Sequence, residues 1–501
     1  MTIASPYDHV AHLATTDPSR PAVHTPDGET ISYGALDART ISLTATLADL
    51  GVQPGDRILV QAEKSLAFLL LYLASLRMGA IFVPLNTGYA EGELDYFITD
   101  AEPALIITSP ASASAMTTLA AGRAAVHTMG QSGEGSLFAH QPTSPPPPRP
   151  APDANRTIAF LYTSGTTGRP KGAMLSGANL ASNAATLAAA WGFAPSDVLL
   201  HALPLFHAHG LFVGVNTTLA AGSSLILLPK FDADLVLHHL PRATVFMGVP
   251  TFYTRLLAAP GLTREACAHM RLFVSGSAPL LAETHKAFEA NTGHAILERY
   301  GMTETVMNAS NPYHGARIPG TVGPPLPGIE IIITHPETGE PLPQGEIGML
   351  EVRGPNVFSG YWRNPAKTAE DLRPNGFFIT GDLARIDDAG YVHIVGRGKD
   401  LIISGGYNIY PREVEAELDS LEGVEESAVI GVAHPDFGEA VVAVLVPKPG
   451  HSLDPAAIAQ ALGPRLARFK HPKFYQILAE LPRNAMGKVM KAELRKDWKP
   501  H

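Results

Sequence analysis

From Ala22 to Thr108 the chain alternates short apolar runs with longer amphipathic stretches, and this rhythm limits the open folds more than any other feature. Ala22-Val-His-Thr, a turn at Pro26-Asp-Gly28 and Thr30-Ile-Ser predict a small hairpin. A helix over 33–50 follows, with Gly51 placed to close it. Then come a strand at 57–61, a helix at 66–78, a strand at 81–84, a helix at 91–98 and a strand at 104–108. Regular β–α alternation of this kind predicts an α/β protein with doubly wound sheets.

A chain of 501 residues with 45% hydrophobic side chains can bury a large core and still carry a smaller appendage. Its net charge of −10 argues against a nucleic-acid partner. Cys267 is the only cysteine, which excludes an internal disulfide and a cysteine-based zinc site. The most apolar stretch, 66–85, is bounded or interrupted by Lys64, Arg77, Gly79 and Pro84, so it reads as a core helix running into a strand, with no membrane partner. The first residues show neither a basic leader nor an apolar signal, and a cytoplasmic location is expected. Residues 129–153 turn to Gly, Ser and Pro, and 141–152 read as a proline-rich surface connector without chemistry.

Directly after it, the apolar run Thr157-Ile-Ala-Phe-Leu-Tyr162 predicts a buried strand. It feeds Thr163-Ser-Gly-Thr-Thr-Gly-Arg-Pro-Lys171-Gly. Gly165 and Gly168 let backbone N–H groups converge on an anion; Thr163, Ser164, Thr166 and Thr167 add hydroxyls and Lys171 a charge. The loop suits phosphate, yet Pro170 stands where the usual nucleotide loop needs a glycine.

Further on, 179–190 reads as a helix, and Phe206-His-Ala-His-Gly210 puts His207 and His209 at the end of an apolar run. They read as a weak metal pair or as histidines packed in a pocket wall. Strands at 224–228 and 243–247, a helix at 250–258 and a strand-to-loop at Arg271-Leu-Phe-Val-Ser-Gly276 continue the α/β rhythm. In Glu298-Arg-Tyr-Gly-Met-Thr-Glu304, Tyr300 could stack on a base and Glu304 could hold a divalent metal beside phosphates; a solvated polar turn is the alternative. From 330 the pattern becomes β-rich, with antiparallel hairpins expected through Gly354–Trp362, and Asp382 follows a buried strand as a ribose ligand or a helix cap. A boundary near 396 leaves about a hundred residues with their own β–α content, ending in Pro482-Arg-Asn-Ala-Met-Gly-Lys488. Alone, Lys488 is an exposed lysine. No G-x-S-x-G occurs, so a serine hydrolase is unsupported.

Taken together, Tyr162-Thr-Ser-Gly-Thr-Thr-Gly-Arg-Pro-Lys-Gly172, Tyr300-Gly-Met-Thr-Glu304, Thr380-Gly-Asp382, Gly396-Arg397 and the Lys488 segment resemble the superfamily of acyl-CoA synthetases, amino-acid-adenylating domains and firefly luciferases. The resemblance implies an N-terminal adenylation domain over 1–396, with a β-rich subdomain beside its doubly wound ones. It implies a small mobile α+β lid over 397–501. A carboxylate would attack the α-phosphorus of ATP, and coenzyme A would then take the acyl group. The resemblance assigns Thr163, Ser164, Gly165, Thr166, Thr167, Gly168 and Lys171 to the phosphates, and Ser277, Ala278, Pro279 and Tyr300 to adenine. Thr303 would reach the α-phosphate with Gly301 and Met302 also among the ATP-binding residues, Glu304 would hold Mg²⁺, and Asp382 with Arg397 would take the ribose. Lys488 would bridge carboxylate and α-phosphate, so its acetylation would silence the enzyme. Lys399 would be the hinge, and Ser404, Gly405, Gly406 and Tyr407 would line the coenzyme A path. Within the superfamily the chain is similar to malonyl-CoA synthetases, notably in Gly248-Val-Pro-Thr-Phe-Tyr-Thr-Arg255 and Glu298-Arg299. That implies malonate as substrate, with Arg255, Ser277 and Arg299 on its distal carboxylate and His207 by the thioester path. Methylmalonate or another short acid, or an amino acid, are the alternatives.

Overall fold

The computed structural model describes residues 3–163, 170–404, 407–435, 437–484 and 487–499. Among these, two large sheets dominate. One has eight strands in the order Ala309–Ser310, Leu297–Tyr300, Leu272–Ser275, Val245–Gly248, Val198–His201, Ser224–Leu227, Pro21–His24, Thr30–Ser32, and all but the edge pairings are parallel. The other has seven: Gly360–Tyr361, Lys171–Ser176, Thr157–Thr163, Ile81–Pro84, Arg57–Gln61, Leu105–Thr108, Ala125–Thr128. Parallel strands buried on both faces need continuous apolar runs, and Leu105–Thr108 and Val245–Gly248 are buried at every position.

The early rhythm is therefore shared between two sheets. The hairpin at 21–32 leaves its sequence neighbours and pairs with Ser224–Leu227, where Tyr33 donates its hydroxyl to the Ser223 carbonyl at 2.8 Å. Helix Leu66–Met78 fills the space this creates. Eleven of its thirteen residues are buried, as a helix apolar on all sides requires, and Gly79 at φ +76° ends it. Tyr72 packs on Phe82 of one sheet and on Phe212 beyond the strand Val198–His201 of the other.

Two expectations change. The segment around Gly360–Tyr361 joins no hairpin of the β-rich region and instead extends the seven-stranded sheet at Lys171–Ser176. Asp382 lies within strand Phe378–Ile386 rather than past its end, so a helix-cap role is excluded. That strand belongs to an antiparallel sheet with Glu330–Thr334, Gly348–Arg353 and Val392–Arg397.

The proline-rich connector works as a strap. Arg149 lies 4.8 Å from the centre of the Tyr7 ring and pairs with Asp8, Arg77 donates to the Pro147 carbonyl at 3.2 Å, and His140 and Thr143 each meet Asp49 at 2.7 Å. It ties the first three helices together. Arg149→Ala should lower the unfolding free energy in urea by about 1–2 kcal/mol with turnover unchanged. Unaltered stability would show that the strap merely lies on the surface.

After Arg397 the chain leaves the antiparallel sheet, turns through Gly398–Asp400 and enters a last sheet at Ile402–Ser404. The change falls just after the expected 396/397 boundary, because Arg397 still completes a strand of the larger part. The small part packs Tyr407–Ile409, Ile402–Ser404, Gly438–Pro447, Val424–His434 and Phe474–Ile477 with helix Pro411–Asp419. No helix among the described residues is long and apolar enough to cross a membrane.

Candidate active site

The loops after the parallel strands Val198–His201 and Leu272–Ser275 meet beside Arg299, the most telling group there. It lies inside strand Leu297–Tyr300, 6% exposed, with Nε and Nη2 lacking any hydrogen-bond partner among the described residues. Burial pulls its guanidinium down to about 9, and no carboxylate pairs with it among the described residues. Gly276 makes room for it: a Cβ there would sit 2.3 Å from Arg299 Cζ. The next residue, Ser277, takes φ +71°, a strained conformation for a side chain, and its Oγ lies 3.2 Å from His209 Nδ1. The His209 backbone N–H donates to His207 Nδ1 at 3.2 Å. Burial and then the charge of Arg299 depress both imidazoles, His207 to about 4, so both are neutral near pH 7.

Arg299, Ser277 and His207 thus share a pocket, and His209 belongs with them. It was legible in Phe206-His-Ala-His-Gly210 only as a second histidine. Arg255 is exposed on helix Pro250–Leu257, with no ion pair or hydrogen bond among the described residues. Its fellow helix residue Tyr253 is the buried one, donating its hydroxyl to the Val274 carbonyl at 2.6 Å.

A second wall carries Tyr300, Asp382 and Arg397. The Tyr300 hydroxyl donates to Asp382 Oδ2 at 2.5 Å, and Arg397 Nε pairs with Asp382 Oδ1 at 3.0 Å. The Gly301-Met302-Thr303 turn folds back tightly, since a Cβ on Gly301 would fall 2.0 Å from the Val306 carbonyl. Ala278 is half-buried and Pro279 exposed at the mouth beyond Ser277.

Glu304 closes this turn at 5% exposure. Its Oε1 accepts from the Tyr361 hydroxyl at 3.1 Å, and burial raises its carboxyl above the ordinary range. A buried carboxylate whose described polar contacts hold no cation fits a divalent metal. The described residues contain no group of three metal-ligating side chains, so phosphate oxygens and water would complete the shell. Tyr361 itself carried no signal as a site residue, because only the pairing of Gly360–Tyr361 with Lys171–Ser176 brings it there.

Thr163 and Lys171, which flank the expected phosphate loop, pair with each other in antiparallel strands. Lys171 Nζ lies 5.6 Å from the centre of the Tyr361 ring, on the Glu304 side of the cleft. Ser164, Gly165, Thr166, Thr167 and Gly168 lie outside the described residues, as do Gly405 and Gly406. Ser404 is buried at the end of its strand and Tyr407 is exposed, stacked on Phe469 at 4.6 Å. Lys399 occupies the turn between the two parts, next to Asp400, which pairs with Arg495 at 2.7 Å.

Lys488 reaches the cleft from the small part. Its N–H donates to Asn484 Oδ1 at 3.0 Å, Arg483 donates to the Gly487 carbonyl at 2.5 Å, and Arg483 also pairs with Glu426. Gly487, at φ +72°, passes so close to Thr251 that a Cβ would lie 3.0 Å from its Oγ1. Lys488 as a residue is exposed. Burial of its amine, then the charge of Arg397, lower that amine to about 8, with Asp382 acting the other way. His207 feels the Lys488 charge too, so the lysine stands between the Asp382–Arg397 pair and the Arg299 pocket.

Comparison with known proteins agrees with this geometry. Residues 10–362 match the family described as AMP-binding enzyme, and 413–488 match the AMP-binding enzyme C-terminal domain. The ATP-bound crystal structure of MatB from Rhodopseudomonas palustris is 54% identical over 99% of both chains, with a TM-score of 0.96; the apo form of that protein scores 0.86. A feruloyl-CoA synthase of Amycolatopsis is 38% identical over 94% of each chain. The mitochondrial malonate–CoA ligase of Mus musculus is 35% identical over 94% of this chain and 87% of its own. The chain therefore belongs to the AMP-binding enzymes, the adenylate-forming family, and is an AMP-forming acid–thiol ligase.

Proposed function

We propose that the protein joins malonate to coenzyme A through a malonyl-adenylate, releasing AMP and pyrophosphate. One observation carries the choice of acid: Arg299 is a buried guanidinium with two unpartnered nitrogens. Leaving such a charge unpaired is costly, and a monocarboxylic acid whose single carboxylate is committed to the α-phosphate brings nothing to it. The second carboxylate of a short diacid pairs with it and receives charge-assisted hydrogen bonds. A feruloyl group, as handled by the Amycolatopsis relative, has no such anion; the malonate–CoA ligase relative points the other way.

In this reading Tyr300, Asp382 and Arg397 hold adenine and ribose, the hairpin loop with Thr163, Thr166 and Lys171 holds phosphates, and Glu304 holds Mg²⁺. The metal supplies positive charge to the phosphate oxygens when bound. Lys488 places its ammonium between the attacking carboxylate and the α-phosphate, where charge builds in the transition state. The two parts then turn about Lys399, bringing Ser404–Tyr407 to the thiol path beside His207. A neutral His207 suits that path, since it accepts a hydrogen bond without adding a second positive charge.

The Lys488 ammonium must be charged to act, and its amine is lowered to about 8. For adenylation, kcat/KM should therefore be level below pH 8 and fall about tenfold per unit above it. Bound phosphates favour the charged form, so kcat should fall only at higher pH. A kcat/KM still rising at pH 9 would contradict the role given to the ammonium.

Thioester formation with malonate, methylmalonate, acetate, octanoate and ferulate tests the acid. Preference for the two diacids is expected. Malonate and methylmalonate differ by one methyl group, worth about 1–3 kcal/mol in a pocket, so both belong in the assay. Better use of a monoacid would leave the ligase and remove malonate.

A further inference from the structure

Lys64 is a buried amine without an acid. It is 7% exposed, and its Nζ lies 2.8 Å from His201 Nδ1 and 2.8 Å from the His201 carbonyl; no carboxylate pairs with it among the described residues. Burial pushes the Lys64 amine and the His201 imidazole well below their ordinary values. His201 Nε2 lies 2.8 Å from the Gly210 carbonyl, which can only accept. The ring therefore carries its proton on Nε2, Nδ1 is a bare acceptor, and Lys64 donates to it and to the carbonyl. A single tautomer satisfies all three contacts.

These contacts join distant parts of the chain. Lys64 follows strand Arg57–Gln61 of the seven-stranded sheet and precedes Ser65, the cap of helix Leu66–Met78. His201, 137 residues away, ends strand Val198–His201 of the eight-stranded sheet. The path continues through Gly210 into a π-helical turn, His209–Val215, shaped around the imidazole. A Cβ on Gly214 would lie 3.0 Å from the His201 ring, and one on Gly210 would lie 2.0 Å from the Pro204 carbonyl. His209 opens that turn, with Ser277 on its Nδ1 and His207 on its N–H. Short π-helical turns are rare and are found frequently at functional sites.

We propose that Lys64 is a positioning residue for the acid pocket: through His201 and the Gly210 carbonyl it holds the turn that sets His207 and His209 beside Arg299. This rests on reading that pocket as the acid site, not on malonate being the acid. An apolar residue in place of Lys64 leaves His201 Nδ1 buried and unmet, while the His201 carbonyl keeps only the Leu228 N–H at 3.0 Å. The imidazole then gains by rotating, and the Gly210 carbonyl loses its donor. The nucleotide wall shares none of these bonds, so ATP binding is spared.

The test uses Lys64→Met in the full-length enzyme with whichever acid the wild type uses best among malonate, methylmalonate, acetate and octanoate. The acid KM should rise by about tenfold or more while the ATP KM stays within about twofold. Should Lys64→Met fail to fold, His201→Gln and His201→Phe decide the matter. Glutamine keeps a donor for Gly210 and an acceptor for Lys64, so its acid KM should stay near wild type while phenylalanine reproduces the rise. Equal changes in both KM values, an unchanged acid KM in Lys64→Met, or equal behaviour of the two His201 variants would overturn the proposal. Because the wild type chooses the acid, a wrong choice of malonate shows in the substrate panel and leaves this comparison intact.

Discussion

Lys488→Ala is expected to cut ATP–pyrophosphate exchange by about 10³-fold or more, yet to convert supplied malonyl-adenylate and coenzyme A to thioester within about threefold of wild type. The asymmetry follows from where the lysine stands. In this arrangement Lys488 feels Arg397 and Asp382 on one side and acts on His207 on the other, so under the proposed function its charge spans the two reactants. It arrives on a hairpin of the small part, braced by Asn484 and by Arg483 with Glu426, and seated against Thr251. A movement of the small part takes the lysine with it, and the thiol step then proceeds without it. Acetylation of Lys488 removes the same charge and should give the same split. Equal loss of both half-reactions in Lys488→Ala would mean that the residue holds the cleft together and does no step-specific work. Lys488→Arg keeps charge but not shape, and should recover little, because a planar fork does not replace a point charge between two oxyanions.

What could be read from the chain divides along a physical line. Helix Leu66–Met78 and strands Arg57–Gln61 and Ile81–Pro84 were legible to the residue because burial on all sides leaves largely apolar runs, the helix ending on a glycine stop. Sheet membership was not. Nothing local in Ala22-Val-His-Thr says that its partner is Ser224–Leu227, because parallel pairing is chosen by tertiary packing. The same holds within the site. Tyr300, Glu304, Asp382 and Lys488 sit in long motifs whose order carries information. Tyr361 at Glu304, His209 at Ser277 and Lys64 at His201 are meetings between elements, with separations of 57, 68 and 137 residues. Arg255 illustrates the converse: its motif suggested a pocket residue, and helix Pro250–Leu257 buries Tyr253 and Leu256 while the arginine is exposed, one turn from the Thr251 that meets Gly487.

Arg299→Ala should lower kcat/KM for malonate by about 10²–10³-fold, the usual cost of truncating one member of a buried charge pair, and leave acetate unchanged or better used. Arg299→Lys should regain only a part, since the ammonium is shorter and cannot grip a carboxylate with two parallel bonds. Arg255→Ala should cost no more than about fivefold, because an exposed charge contributes at most about 1 kcal/mol. The stability readout has the opposite sign. In the free enzyme Arg299 is a desolvated cation with two unmet nitrogens, which opposes folding. Arg299→Met, which keeps the volume on Gly276 but carries no charge, should therefore unfold at a higher temperature than wild type. Added malonate should raise the wild-type midpoint and leave that of Arg299→Met in place. The enzyme would then be seen to hold a destabilising charge for its substrate to neutralise, and selectivity for a second carboxylate follows from that energy alone. If malonate and acetate lose activity in parallel, or if Arg299→Met unfolds earlier, the guanidinium is a structural group and the diacid reading falls with it.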